Sequence, residues 1–406
     1  MFYKLSAPFP FVTSATLIFS IALLAGCNKS EAPASASYAK GYGSGELVVK
    51  IGAAAPLTGA QAHVGKDNEN GTRMAIEDAN AKGIMIGGRK ARFELLSEDD
   101  QADPKSATIV AQKLVDAKVS GVIGHLNSGT SIPASKIYSD NGIVQISPSA
   151  TAVAYTNSGF KTTFRVMAND AQQGKALGTF ATQTLGMKKI AVIDDRTAYG
   201  EGLAREFIKA AQAGGAQIIA HEYTTDRAVD FTAVLTSLKG KRPELIFFGG
   251  MDPQGVPMVK QMRALGLPAK FMMGDGGYTP KVPELAGAAA EGVYASLPGV
   301  PLDKMPGGTD FSNRYVAKYH QPIQNYAPYC YDAVNTMIAA MQKAASIDPA
   351  KYLPELAKIT HEGITAKITF DEKGDLKGGA ITLYQIQKGK WQPLQTMGDN
   401  ATAGTP

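Results

Sequence analysis

Four loops concentrate the side chains able to recognise a ligand. Gly124-His125-Leu126-Asn127-Ser128-Gly129-Thr130-Ser131 leaves a short apolar run and opens a helical pattern. Gly and small hydroxyl residues there expose backbone N–H groups at a helix amino terminus, which suits an anion such as a carboxylate. Ser147-Pro148-Ser149-Ala150-Thr151 repeats the hydroxyl-rich character after Ile143 to Ile146. Asp194-Asp195-Arg196-Thr197-Ala198-Tyr199-Gly200-Glu201-Gly202 follows Lys189 to Ile193, and Gly274-Asp275-Gly276-Gly277-Tyr278 combines a negative charge with glycines that admit close approach of a ligand. An anion site in one half and acidic and aromatic groups in the other suit a small zwitterion. Each loop also has a plainer explanation, with Ser128, Ser149 and Thr151 as helix caps, Tyr199 as packing and Asp275 as a turn former.

The elements that must hold these loops alternate regularly. Leu47 to Ala53, Ala91 to Leu96, Gly121 to Gly124 and Ile143 to Ile146 read as strands, separated by helical patterns at Asn68 to Lys82, Pro104 to Ala117 and Pro133 to Asn141. The rhythm restarts after Asp170, with strands near Lys189 to Ile193, Gln217 to Ala220, Leu245 to Phe248 and Phe271 to Met273. This is an α/β chain with two doubly wound parallel-sheet lobes, whose ligands bind beyond the carboxyl ends of the strands. The last third holds two or three helices between Phe311 and Ile359, then strands at Ala366 to Phe370 and Ala380 to Ile386. From the pattern alone, that segment can join either lobe.

Composition narrows the class. The 406 residues are 44% hydrophobic and 19% charged, the balance of a globular protein long enough for two cores. The 41 basic and 36 acidic residues form no like-charged run, so a nucleic-acid partner is not expected. Leu5 to Gly26 carries no charge and follows Lys4, the pattern of an export signal; Pro8 and Pro10 shorten its apolar helix below the roughly 20 residues that span a bilayer. Leu24-Ala25-Gly26-Cys27 resembles the lipobox of bacterial lipoproteins, which implies cleavage after residue 26 and lipidation of Cys27. A Ser-, Ala- and Gly-rich tract to Gly45 fits a tether, residues 27–45. Cys330 then has no partner for a disulfide and reads as a buried structural thiol. An enzyme is disfavoured: there is no Gly-x-Ser-x-Gly, no P-loop and no His-Glu-x-x-His, and the five His are not spaced as a metal pair. Ser37-Tyr38-Ala39-Lys40 matches Ser-x-x-Lys but falls in the tether, so neither catalytic residues, metal nor cofactor is expected.

The chain resembles the periplasmic binding proteins for branched-chain amino acids that serve ATP-driven (ABC) importers. The matching landmarks are Ile51-Gly52 with Pro56-Leu57-Thr58-Gly59, Ile123 to Leu126, Ile146 to Thr151, Tyr199 to Arg205 and Phe370 to Gly378. The resemblance implies the type I periplasmic binding fold, two Rossmann-like lobes joined by three crossovers, near Val166 to Asn169, Leu297 to Pro301 and Lys377 to Ala380. Residues 46–167 and 300–377 would form the first lobe, 168–299 and 378–396 the second, and 397–406 a tail. It also implies that Ser128, Ser149, Ala150 and Thr151 hold the carboxylate and part of the ammonium, with Asp170 and Tyr199 near the closing cleft.

Two departures stand out. Met251 replaces a family Tyr, and Gly276 replaces the Glu that pairs with the ammonium, leaving Asp275 or Asp252 for that charge. His63 stands where a phenol is common, and Ala102 and Asn127 replace the cysteines of a frequent disulfide. The side chain of the ligand is expected against His63, Met251 and Tyr278. The expected partners are a small amino acid, most simply a branched-chain one, an inner-membrane permease and the membrane through the lipid. A receptor for another amino acid, an amide or a carboxylate, and a sensor without transport, are the alternatives. A monomer suits hinge closure, and the location is periplasmic, or the cell surface in a Gram-positive organism.

Overall fold

The computed structural model describes residues 45–398, which fall in one compact unit. The export signal, Cys27, all of the tether before Gly45 and the tail from residue 399 lie outside the described residues. Fifteen strands and twelve α-helices are present among the described residues. The first sheet contains β1 (Leu47–Ala55), β2 (Met85–Ile86), β3 (Arg89–Asp99), β4 (Gly121–Gly124), β5 (Gln145–Ser147) and β6 (Thr163–Arg165), in the order β2-β3-β1-β4-β5-β6. The second contains β7 (Lys189–Asp194), β8 (Gln217–Tyr223), β9 (Leu245–Gly249), β10 (Lys270–Met273), β11 (Tyr294–Pro298), β14 (Ile381–Gln387) and β15 (Lys390–Met397), in the order β15-β14-β11-β10-β9-β7-β8. A two-stranded ribbon of β12 (His361–Glu362) and β13 (Lys367–Ile368) stands apart. The sheets are parallel except where β2, β14 and β15 pair antiparallel.

Parallel strands sandwiched by helices are buried on both faces and so read as continuous apolar runs. β9, Leu-Ile-Phe-Phe-Gly, and β4, Gly-Val-Ile-Gly, are buried throughout. The helices that bear on the cleft are α1 (Ala62–Lys82), α3 (Ser128–Asp140), α5 (Asp170–Thr179), α6 (Ala198–Ala213), α8 (Asp252–Ala264) and α11 (Ala327–Lys343); the others are α2 (Pro104–Asp116), α4 (Val153–Thr156), α7 (Thr232–Lys241), α9 (Lys281–Ala286), α10 (Gly308–Tyr319) and α12 (Pro349–Ala357). No described helix is long and apolar enough to cross a membrane.

Two helices start earlier than their sequence pattern suggests. α1 begins at Ala62 rather than Asn68, because Gly65, a poor helix former, is kept for packing: a Cβ there would lie 1.8 Å from the Pro56 carbonyl oxygen. α3 begins at Ser128 rather than Pro133; the Asn127 carbonyl accepts from the amides of Thr130 and Ser131, so the first turn closes before the proline. Four strands of the sheets, β2, β6, β11 and β15, carry no clear sequence signal. β6 is three residues long and ends in a fully buried Arg165, and β11 runs into the segment read as a crossover.

Candidate functional site

The first-lobe half of the site is a set of loops fixed by internal hydrogen bonds. Buried His125 is held through Nδ1 by Asp100 at 2.7 Å and through Nε2 by Tyr138 at 3.0 Å. Its carbonyl accepts from the hydroxyls of Ser131 and Ser147. Ser147 Oγ in turn accepts from the amides of Ser149 and Ala150. Arg165 completes the brace: Nη1 donates to the carbonyls of Ala150 at 2.8 Å and Ala152 at 3.0 Å, Nη2 to Thr156 Oγ1 and Nε to Asp375 at 2.7 Å.

Within this frame, Ser128 Oγ accepts from the Ala152 amide at 3.1 Å, and Ser149 Oγ donates to the Leu126 carbonyl while accepting from Asn68. Thr151 keeps its buried hydroxyl without a well-formed hydrogen bond and faces Asp170. The amino terminus of α3 opens on an interlobe cavity of about 460 Å³, which Asn127 and Gly129 line. That size is within the range of small-molecule pockets.

The second-lobe half is dominated by carboxylates. An Asn169 capping box, closed by Gln172, places Asp170 at the first position of α5, and its amide donates to the Thr151 carbonyl at 2.8 Å. Asp170 is fully buried, and neither carboxylate oxygen has a well-formed hydrogen bond among the described residues. Burial first, and the nearby charge of Asp275 second, raise its pKa to about 8; the hydroxyl of Thr151 works in the opposite direction.

Asp275 is buried nearly as deeply but has three side-chain donors. It accepts from Tyr326 at 2.6 Å, Tyr199 at 2.8 Å and Gln173 at 2.9 Å. Burial raises its pKa, and these three donors oppose the rise. Thr197 caps α6 and so positions Tyr199, whose hydroxyl also accepts from the Gly276 amide at 2.9 Å.

The predicted residues are thus only partly brought together. Thr151, Asp170, Asp275, Tyr199, Gly276 and Met251 form one continuous group, of which Tyr199 and Met251 line the cavity. The departures at 251 and 276 are a single packing exchange: a Cβ on Gly276 would lie 2.5 Å from the Met251 sulfur and 3.0 Å from the Tyr199 ring. A side chain at 276 requires the Met251 side chain to shift aside.

Three residues differ from their expected roles. Asp275 anchors Tyr326, Tyr199 and Gln173, which take three of its roughly four acceptor positions. His63 reaches across the cleft to Asp252, with Nε2 and Oδ2 2.8 Å apart, and Thr279 donates to the same oxygen; the buried Oδ1 of Asp252 has no hydrogen-bond partner among the described residues. Tyr278 packs against Tyr384 and Trp391, with ring centroids at 4.3 and 5.2 Å, and lines a different cavity. Its neighbours on β14 and β15 are remote in sequence.

Sequence reasoning missed Arg165, Gln173 and Tyr326. Gln173 lies three residues after Asp170, on the same helix face, and Arg165 is a charge that opens the apolar run Val166-Met167-Ala168; both are usable signals. Tyr326 is hidden in an apolar helical pattern. Cys330 is buried and free, with its thiol pKa raised by burial, and no group of three or more His, Cys, Asp or Glu among the described residues is arranged to hold a metal ion.

Two α/β sheets facing a cleft of this kind define a solute-binding protein of the type I periplasmic binding fold. Residues 48–390 match the model of the periplasmic binding protein family, and the chain belongs to that family. A leucine-, isoleucine-, valine-, threonine- and alanine-binding protein of Pseudomonas aeruginosa is 35% identical over 347 residues, covering 86% of this chain and 92% of that one. Among solved structures, a leucine-binding protein of Thermotoga maritima has a TM-score of 0.80 at 26% identity, covering 86% of this chain and 98% of that one. A branched-chain amino acid transporter substrate-binding protein of Streptococcus pneumoniae, in complex with isoleucine, has a TM-score of 0.79 at 26% identity, covering 87% and 100%. The chain is accordingly an extracytoplasmic binding protein and not an enzyme.

Proposed function

We propose that this protein captures a small amino acid, branched-chain first among candidates, and delivers it to an ABC importer while tethered by lipid on Cys27. The observation that carries the reading is Asp170: a fully buried carboxylate with both oxygens lacking a well-formed hydrogen bond, facing the Thr151 hydroxyl and close to Asp275, which holds the cavity-lining Tyr199. Burying a charge is costly unless it is paired, so the arrangement suits an arriving cation such as an α-ammonium. The amino terminus of α3, with Ser128 and Gly129, suits the carboxylate. Asp170 thereby takes the role of the Glu that Gly276 displaces, and Asp275 orients Tyr199 for it. The substrates named for the Pseudomonas and Streptococcus proteins support the same ligand class.

In this reading the moving bodies are residues 46–167 with 300–377, and 168–299 with 378–396. The first lobe holds the carboxylate in the open form, and the second supplies the carboxylate side chain on closure. The ligand favours the closed state only through contacts made there and not in the open state. The protein acts as a monomer, and the permease recognises the closed form.

Calorimetric titration of the mature, lipid-free chain, unfolded and refolded to strip bound ligand, tests this against all twenty amino acids and several amides. One-to-one binding of aliphatic amino acids, lost in Asp170→Asn, is expected. Binding only of molecules without an ammonium group would overturn the amino-acid assignment and leave the fold. The exchange of Tyr and Glu for Met251 and Gly276 favours a second reading, in which the same site takes another amino acid or an amide.

A further inference from the structure

Away from the amino-acid cleft, beside the second crossover, both lobes contribute to a second cavity of about 110 Å³. Leu302 and Ile323 line it together with Tyr278, Tyr384 and Trp391. It shares Tyr278, Leu302, Tyr384 and Trp391 with an open crevice of about 390 Å³, which provides entry from the surface. No charged side chain lines the inner cavity. Apolar cavities of roughly 150 Å³ hold a benzene ring, so the inner space together with the mouth of the crevice is of the right scale for one.

The cavity is not purely apolar. Gln324 and Asn325 line it, are 9% and 4% exposed, and each keeps a side-chain carbonyl oxygen without a hydrogen-bond partner among the described residues. Their amide nitrogens are committed to carbonyls, Gln324 Nε2 to Pro322 at 3.2 Å and Asn325 Nδ2 to Asp275 at 3.2 Å. Those bonds fix the amide orientation, so the free groups are acceptors. Aromatic walls, neutral lining and two buried acceptors define the complementary molecule.

We propose that this cavity is a second ligand site, for a small uncharged aromatic molecule bearing a hydrogen-bond donor, of the phenol or aromatic-amine class. The ring packs against the cluster of Tyr278, Tyr384 and Trp391, and its donor meets Gln324 or Asn325. Asn325 also donates to the backbone of Asp275, whose side chain accepts from Tyr199 and Tyr326 at the amino-acid site. Because the lining residues belong to different lobes, occupancy alters the balance of open and closed forms. This coupling, unlike the binding itself, rests on hinge closure as the function of the cleft, and it is reciprocal.

Trp391 is the only tryptophan in the chain, so its fluorescence reports occupancy directly. Phenol and benzene are titrated into the purified protein with Trp391 emission and calorimetry as readouts. Saturable phenol binding, at least about tenfold tighter than benzene, is expected, with Gln324→Leu or Asn325→Leu removing the difference. Ile323→Phe and Leu302→Phe, both of which fill the cavity while circular dichroism stays native, abolish the response. Absence of a saturable response, equal affinity for phenol and benzene, or a phenol titration unchanged in both filled variants would overturn the site. A leucine dissociation constant shifted at least twofold by saturating phenol supports the coupling, and an unshifted one overturns it. Failure of the amino-acid assignment leaves the phenol titration unaffected, so the two ideas fail separately.

Discussion

The two sides of the cleft solve opposite problems. The first-lobe loops are braced from behind, with a buried guanidinium and a chain of serine hydroxyls fixing the backbone proposed to meet the ligand. The second-lobe face is charged and, at Asp170, left open. A rigid anion site costs little to keep empty, since backbone dipoles are already in place. An empty carboxylate site is expensive, and burial, which raises the pKa of Asp170 to about 8, favours its neutral form near pH 7 and lowers that cost; under the proposed function an arriving ammonium displaces the proton. The division of labour is that one lobe is preorganised by bonding and the other by protonation.

The largest effect on the first side is expected from Arg165→Met. It strips the brace from two loop carbonyls and leaves Asp375 without its ion pair, for a loss of roughly 3–5 kcal/mol in urea unfolding. A loss below about 1 kcal/mol would mean that the loop holds itself and that the comparison is misdrawn.

On the second side, Asp170→Asn should weaken amino-acid binding by about 2–4 kcal/mol, some 30- to 1000-fold, while leaving the fold intact. Asp275→Asn should instead lower stability by about 1–3 kcal/mol, because its three donors lose a charged acceptor, with a smaller loss of affinity. If the two variants exchange these phenotypes in calorimetry and thermal melts, Asp275 is the ammonium partner.

The contrast between these two aspartates shows what the sequence could and could not reveal. Loops at strand ends, rich in Ser, Thr, Gly and Asp, were visible because a parallel sheet places its ligand there. So was the two-lobed α/β fold, from its alternation. Which carboxylate stays open was not visible, because it is decided by Tyr326, 51 residues from Asp275, and by Gln173, 102 residues from it. Tyr278 was misplaced for a similar reason. Its aromatic partners, Tyr384 and Trp391, lie on antiparallel strands that return to the second sheet after the chain has left it, and local pattern does not say where a returning segment docks.

Protonation gives a sharper form of the comparison. The Asp170 carboxyl is at about 8 folded against 3.8 as an isolated side chain, so its contribution to ligand-free stability is fully present below about pH 4 and is lost as pH rises to about 8. The expected slope is about 1.4 kcal/mol per pH unit, read from urea unfolding of ligand-free protein between pH 5 and 8, roughly. Asp170→Asn should lower the slope by about that amount, most clearly between about pH 6 and 8, because Asp195 and Asp332, both raised to about 6 by burial, add slope of the same sign at lower pH. Amino-acid binding near neutral pH should release a proton, visible as a buffer-dependent calorimetric enthalpy. A wild-type slope equal to that of the variant would place the open charge elsewhere.

The smallest effect belongs to the His63–Asp252 contact, which joins α1 to α8 across the cleft. His63 retains 20% side-chain exposure, so the pair is partly solvated and its worth is about 0.2–1 kcal/mol. His63→Asn should therefore weaken every ligand by the same factor, up to about fivefold, through a less stable closed form. Met251 lines the cavity and should behave differently: Met251→Ala is expected to change the order in which leucine, isoleucine and valine bind. The distinction lies in the ranking and not in the size of the loss. A reordered series in His63→Asn would put the imidazole against the ligand side chain, and the contact with Asp252 would then describe the empty cleft only.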